Sequence, residues 1–178
     1  MQVRTLLRAR TLLAAGIVAA LVVPISALGG TTSRAAAKTA SLQKLANLYE
    51  IDQIEVKFHR ATSTHNLNLM MSLWAPNAVF NINQETLVGK AQIRHWFATE
   101  NKAFMTQNHW QSDTPTYKDR IHLLNGSHAT MYFECDYIQP GNPATVVGSA
   151  GVTHSLQKIK GKWLITNSVG STATPSTY

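Results

Sequence analysis

The stretch that decides the fold is Asn125-Gly126-Ser127-His128-Ala129-Thr130-Met131-Tyr132-Phe133-Glu134-Cys135-Asp136-Tyr137-Ile138-Gln139-Pro140-Gly141-Asn142-Pro143. It opens on Asn-Gly, the strongest short hairpin signal, and closes on a Pro-Gly-Asn-Pro turn. Between the two turns, Met131, Phe133, Cys135 and Tyr137 alternate with Thr130, Tyr132, Glu134 and Asp136. That period of two is the signature of a strand with one apolar face. If Ala129 faces inward, Tyr137 does too, and Glu134 and Asp136 face the other way.

Sheet extends on both sides of this strand. His109 to Leu123 reads as the preceding strand, ending at Asn125-Gly126, and Thr145–Ile159 and Lys162–Val169 as two more around the Lys160-Gly161 turn. Upstream the period changes to that of a helix. From Ser41, a candidate N-cap, Leu45, Leu48, Tyr49, Ile51, Ile54 and Phe58 follow helical spacing. Asn66 or Asn68 caps a second, shorter helix carrying Leu69, Met70, Leu73 and Trp74, which Pro76 ends. Ala78, Phe80 and Ile82 form a short strand, Gly89 a turn, and Ile93, Trp96, Phe97 and Phe104 a third helix. Helices first and sheet afterwards predict one α+β domain over residues 41–170, followed by a polar tail, 171–178.

The first 29 residues have a different character. Arg4, Arg8 and Arg10 precede the uncharged run Thr11–Val23, Pro24 breaks it, and Ser26-Ala27-Leu28-Gly29-Gly30 supplies small residues. This three-part layout predicts a secretory signal peptide over residues 1–29 and a secreted or extracytoplasmic protein. Leu12–Val23 is shorter than the roughly 20 residues of a spanning helix. Contact with a membrane is expected only if the segment stays uncleaved as an anchor. Residues 30–40 carry no apolar period and read as a flexible lead-in.

The chain has 16 basic and 9 acidic residues; without the three leader arginines the charge falls from +7 to about +4. That mild bias, with Lys158, Lys160 and Lys162 on the solvated side of a hairpin, predicts no nucleic-acid partner. Cys135 is the only cysteine, so no internal disulfide is available. His59 and His65 are six apart, which matches no metal spacing. No metal and no cofactor are expected. Ser149 and Ser155 sit in no nucleophile elbow, so a serine triad has no support.

The order of these elements resembles the SnoaL-like branch of the nuclear-transport-factor-2-like superfamily. The residues that carry the resemblance are Phe58, Asn66 to Trp74, Ala75-Pro76-Asn77-Ala78-Val79-Phe80, Gly89-Lys90-Ala91-Gln92-Ile93-Arg94, His109, Asn125-Gly126 with Ala129-Thr130, and Gly161-Lys162-Trp163. It implies a cone: a curved antiparallel sheet wrapped around N-terminal helices, with one pocket. Members include ketosteroid isomerases, polyketide cyclases, dehydratases and modules that catalyse nothing, so the fold alone does not name a reaction.

Where dehydratases of this type place a tyrosine, an aspartate and a helix-capping aspartate, this sequence has Phe58, Ser63 or a neighbour, and Asn66. Only the histidine at the start of the first long strand has a counterpart, His109, which makes it the candidate acid/base. Its other reading is a strand-start histidine bonded to a turn. Tyr137 or Asn167 would orient a ligand oxygen. Phe58, Trp110, Phe133 and His154 complete the expected pocket lining, His154 being either a partner for His109 or an exposed strand residue. The expected ligand is a small, largely apolar molecule, handled by cofactor-free acid/base chemistry or simply bound. A homodimer through the sheet face is the expected protein contact.

Overall fold

The structure, a computed structural model, describes residues 29–114 and 120–173. The expected signal peptide lies outside the described residues apart from Gly29. The chain divides into two compact units, Met1–Ala37 and Lys38–Tyr178. In the first, the described residues are helical. All further architecture belongs to the second.

Helix α1 runs Gly29–Ser63. The expected flexible lead-in, residues 30–40, is therefore helical, and Ser41 is not the helix start. Ala35, Ala36, Ala37 and Ala40 have the highest intrinsic helix propensity, and neither Gly nor Pro interrupts the chain from Thr31 to Ser63. Residues 33–46 are exposed, and the buried stripe begins with Asn47 and continues through Ile51, Ile54, Phe58 and Ala61. Leu45 and Tyr49 point to solvent. Asn66 caps α2 (Leu67–Met71), its Oδ1 accepting from Leu69 N at 2.9 Å.

Strand β1 (Trp74–Ile82) takes in Pro76 rather than starting after it. Pro76 lies where the β1 register against its neighbour shifts, between Trp74 and Val79, the kind of irregularity that tolerates a residue without an N–H. β2 (Glu85–Val88) folds back on β1, and α3 (Gly89–Thr99) begins at Gly89, whose φ of +80° favours glycine. A 3-10 turn, Lys102–Phe104, buries Phe104 beyond the helix.

The expected long strand from His109 to Leu123 is instead β3 (Gln111–Asp113) and β4 (Arg120–Leu123), both antiparallel to β5 (His128–Gln139). β6 (Thr145–Ile159) and β7 (Lys162–Ala173) complete the sheet, in the order β2-β1-β7-β6-β5-β3, with β4 also on β5. Part of the expected polar tail, Ser171–Ala173, pairs with Ser149–Gly151; the remainder lies outside the described residues. The sheet is mixed rather than purely antiparallel, because β1 runs parallel to β7.

On β5, Ala129, Met131, Phe133, Cys135 and Tyr137 are all buried, as alternation predicts. They pack with Ile51, Ile54 and Phe58 of α1 and Ile93, Trp96 and Phe97 of α3 in one core.

Candidate functional site: an aromatic cleft and an interior polar cluster

A cleft of about 190 Å³ opens where the far end of β5 meets the start of β6 and the 3-10 turn. Tyr137, Trp110, Trp96 and Asn101 are among its lining residues. Tyr137 is nearly buried by the strand parity that also buries Phe133 and Cys135. Trp110 stacks on it, ring centroids 6.1 Å apart at 27°. Asn101 caps the 3-10 turn, its Oδ1 accepting from Ala103 N at 2.9 Å, which leaves its amide NH2 for the Tyr137 oxygen. Burial, and next Cys135, push the Tyr137 phenol well above its ordinary range, while the Asn101 bond opposes the shift. Tyr137 therefore stays protonated. It can donate a hydrogen bond to a ligand oxygen but cannot act as a base.

A second polar group lies deep in the core. Val152, His154 and Leu156 alternate inward along β6, so His154 is fully buried. Phe133 (5.1 Å), Phe58 (6.0 Å) and Trp74 (6.0 Å) surround its ring. Neither ring nitrogen has a hydrogen-bond partner, nor do Ser168 Oγ and Trp74 Nε1. Desolvation drives the imidazole pKa down from 6.5 to about 3, so the ring is neutral at physiological pH. Each such orphan costs roughly 1–3 kcal/mol if nothing satisfies it.

A third group joins α1 to the sheet. Glu55 and His59, one helical turn apart, have Nε2 and Oε1 at 3.4 Å. The Thr114 hydroxyl meets Glu55 Oε1 at 2.5 Å and the Glu134 carbonyl at 2.9 Å, and also contacts His59 Nε2. Ser112 Oγ lies 2.8 Å from His59 Nδ1. One hydroxyl proton serves one acceptor at a time. His59 Nε2 therefore approaches Thr114 as a donor, while Nδ1 and the Ser112 hydroxyl share the second bond. In the sequence, His59 stands out only by its spacing from His65, which matches no metal site, and Glu55 belongs to no motif. A signal existed: Glu55 occupies the helical phase of the buried stripe, where a carboxylate needs a partner.

The expected site residues thus separate. Tyr137 and Trp110 share the cleft. Phe58 and Phe133 are core residues packed on each other at 5.3 Å, and neither lines the cleft. His154 is buried rather than an exposed strand residue. His109 is exposed, precedes β3, and does not pair with His154, because β3 starts only at Gln111 and the segment before it runs along the surface. Asn167 is also exposed. Trp163 and Ile165 face inward, but a register shift in β6–β7 at Ser155/Leu156 leaves Thr166 as the extra residue and puts Ser168 inside instead.

Among the described residues, no group of three His, Cys, Asp or Glu side chains is arranged to hold a metal ion, and no helix is long and apolar enough to cross a membrane.

Helices covering one face of a mixed sheet, with an aromatic cleft at its end, define a pocket-bearing α+β domain. The model of the SnoaL-like domain family matches residues 43–169, and the chain belongs to that family. The fold is the nuclear-transport-factor-2-like cone. A nuclear-transport-factor-2-like protein with a cystatin-like fold from Novosphingobium aromaticivorans superposes with a TM-score of 0.65 at 11% identity, over 78% of this chain and 89% of that one. A protein with a cystatin-like fold from Nostoc punctiforme gives 0.60 at 18% identity, over 70% and 90%. A putative scytalone dehydratase from Novosphingobium aromaticivorans gives 0.60 at 9% identity, over 78% and 93%. Comparison with curated proteins returned no match.

Proposed function

We propose that the domain is an exported binding protein for a small, largely apolar ring compound bearing an oxygen, seated in the cleft that the Trp110–Tyr137 pair lines. The observation that carries this reading is the stacked Trp110–Tyr137 pair, with the Tyr137 hydroxyl positioned by Asn101 as a permanent donor. Aromatic faces attract a flat apolar ring, and one donor fixes its orientation. At about 190 Å³ the cleft is smaller than the roughly 300 Å³ at which drug-sized sites begin, which favours one or two fused rings over a steroid. Export is supported by the leader of Arg4, Arg8, Arg10 and the apolar run to Val23.

A thermal-shift titration with neutral phenols and monocyclic ketones tests the reading. A concentration-dependent rise in Tm that Trp110→Ala abolishes is expected. A rise unaffected by Trp110→Ala and Tyr137→Phe rejects the cleft as the site.

A second reading, proton-transfer catalysis, draws on the Glu55–His59 pair with its two hydroxyls, since a histidine held by a carboxylate is a common acid/base unit. Its supporting result would be turnover lost in His59→Gln and kept in His109→Ala.

A further inference from the structure

Apart from Trp163 Nε1, the orphaned polar atoms of the core belong to three side chains linked by strand register and ring contact, His154, Ser168 and Trp74. His154 and Ser168 are register partners across β6 and β7, and the Trp74 ring stands edge-on to His154 at 87°. The remaining walls are apolar: Met131 is the register partner of His154 on β5, and Phe58 and Phe133 flank the ring. The Trp74 indole can only donate, the Ser168 hydroxyl donates and accepts, and a neutral imidazole does one at each nitrogen. A carboxylate here would only accept and would carry charge into an apolar shell, and an ammonium could accept nothing from the indole. A hydroxyl-type oxygen can accept from Trp74 or Ser168 while donating to the bare nitrogen of His154.

We propose that His154, Ser168 and Trp74 form an interior binding site for one neutral hydroxyl oxygen, supplied by a water molecule or by an alcohol or phenol. The site stands independently of the cleft. His154 lies five residues along β6 from Ser149, the nearest cleft residue on that strand, on the order of 17 Å at strand spacing.

The test is NMR on the full chain labelled with 15N-histidine, first in water and then with phenol as probe. Expected is a single neutral tautomer of His154 with its acceptor nitrogen hydrogen-bonded, and a magnetisation transfer to the ring either from a long-lived water or from phenol protons. Transfer from water alone assigns the oxygen to water, and transfer from phenol, lost on washing, assigns it to a ligand hydroxyl. No transfer from either, with the acceptor nitrogen at the shift of an unbonded imidazole, overturns the proposal. The readout is on the wild-type ring and needs no variant to fold. Stability supplies an independent sign: Ser168→Ala lowers Tm if the hydroxyl bonds the oxygen, and a rise in Tm overturns the site.

Discussion

His154 on β6 stands directly across from Ser168 on β7, both inside the sheet's covered face, and neither side chain has a protein hydrogen-bond partner. The pairing depends on the bulge at Thr166. Without it, the inward position would belong to Asn167, whose amide could have met the imidazole.

Burial of His154 makes stability depend on pH. The unfolded chain takes up a proton as pH falls through about 6.5, whereas the folded chain does not until about 3. The stabilisation is complete above 6.5 and is lost progressively below it, at a limiting slope of about 1.4 kcal/mol per pH unit. Urea midpoints between pH 7.5 and 5 should fall for the wild type and fall less for His154→Leu. The other histidines are common to both proteins, so equal slopes would sink the assignment.

Tyr137→Phe removes one donor from the cleft while keeping the ring that stacks on Trp110. Affinity for a ring compound carrying a carbonyl should drop about tenfold, the worth of one hydrogen bond of about 1.4 kcal/mol, and an oxygen-free analogue should be unaffected. Calorimetric titration of both ligands checks this.

The hydroxyl of Thr114 ties the Glu55–His59 pair on α1 to the β5 backbone at Glu134. Thr114→Val keeps the shape and strips those bonds, so unfolding free energy should fall by about 2–3 kcal/mol, charged partners included. A denaturant midpoint within error of the wild type would show that the network contributes little.

Gly170 has no room for a side chain: a Cβ there would lie 2.7 Å from Val152 Cγ1 and 3.0 Å from the Gly151 carbonyl. Gly170→Ala should cost roughly 1–3 kcal/mol through overpacking. Adding Val152→Ala should relieve only the first clash, since the carbonyl belongs to the sheet backbone.

His109→Ala should leave stability within about 0.5 kcal/mol of the wild type, as for most exposed positions, and leave ligand binding unchanged. Loss of binding in this variant would return His109 to the site.

What the sequence by itself determined is whatever repeats locally. The alternation of Met131, Phe133, Cys135 and Tyr137 specified the inner face of β5. Asn66 or Asn68 announced the start of α2, and Lys160-Gly161 the β6–β7 turn, because caps and tight turns depend on a few adjacent residues. His154, expected either to pair with His109 or to stand exposed on its strand, is buried instead, and the only local sign of that face is Val152 and Leu156 two residues to either side. Only the tertiary structure decided the parallel pairing of β1 with β7, the exchange of Asn167 for Ser168, the exposure of His109, and the meeting of Glu55 and His59 with Ser112 and Thr114 more than 50 residues away. The reason is that a strand's period is set along the chain, whereas its register and bulges are set by the partner strand. A shift of one residue moves every later side chain to the opposite face.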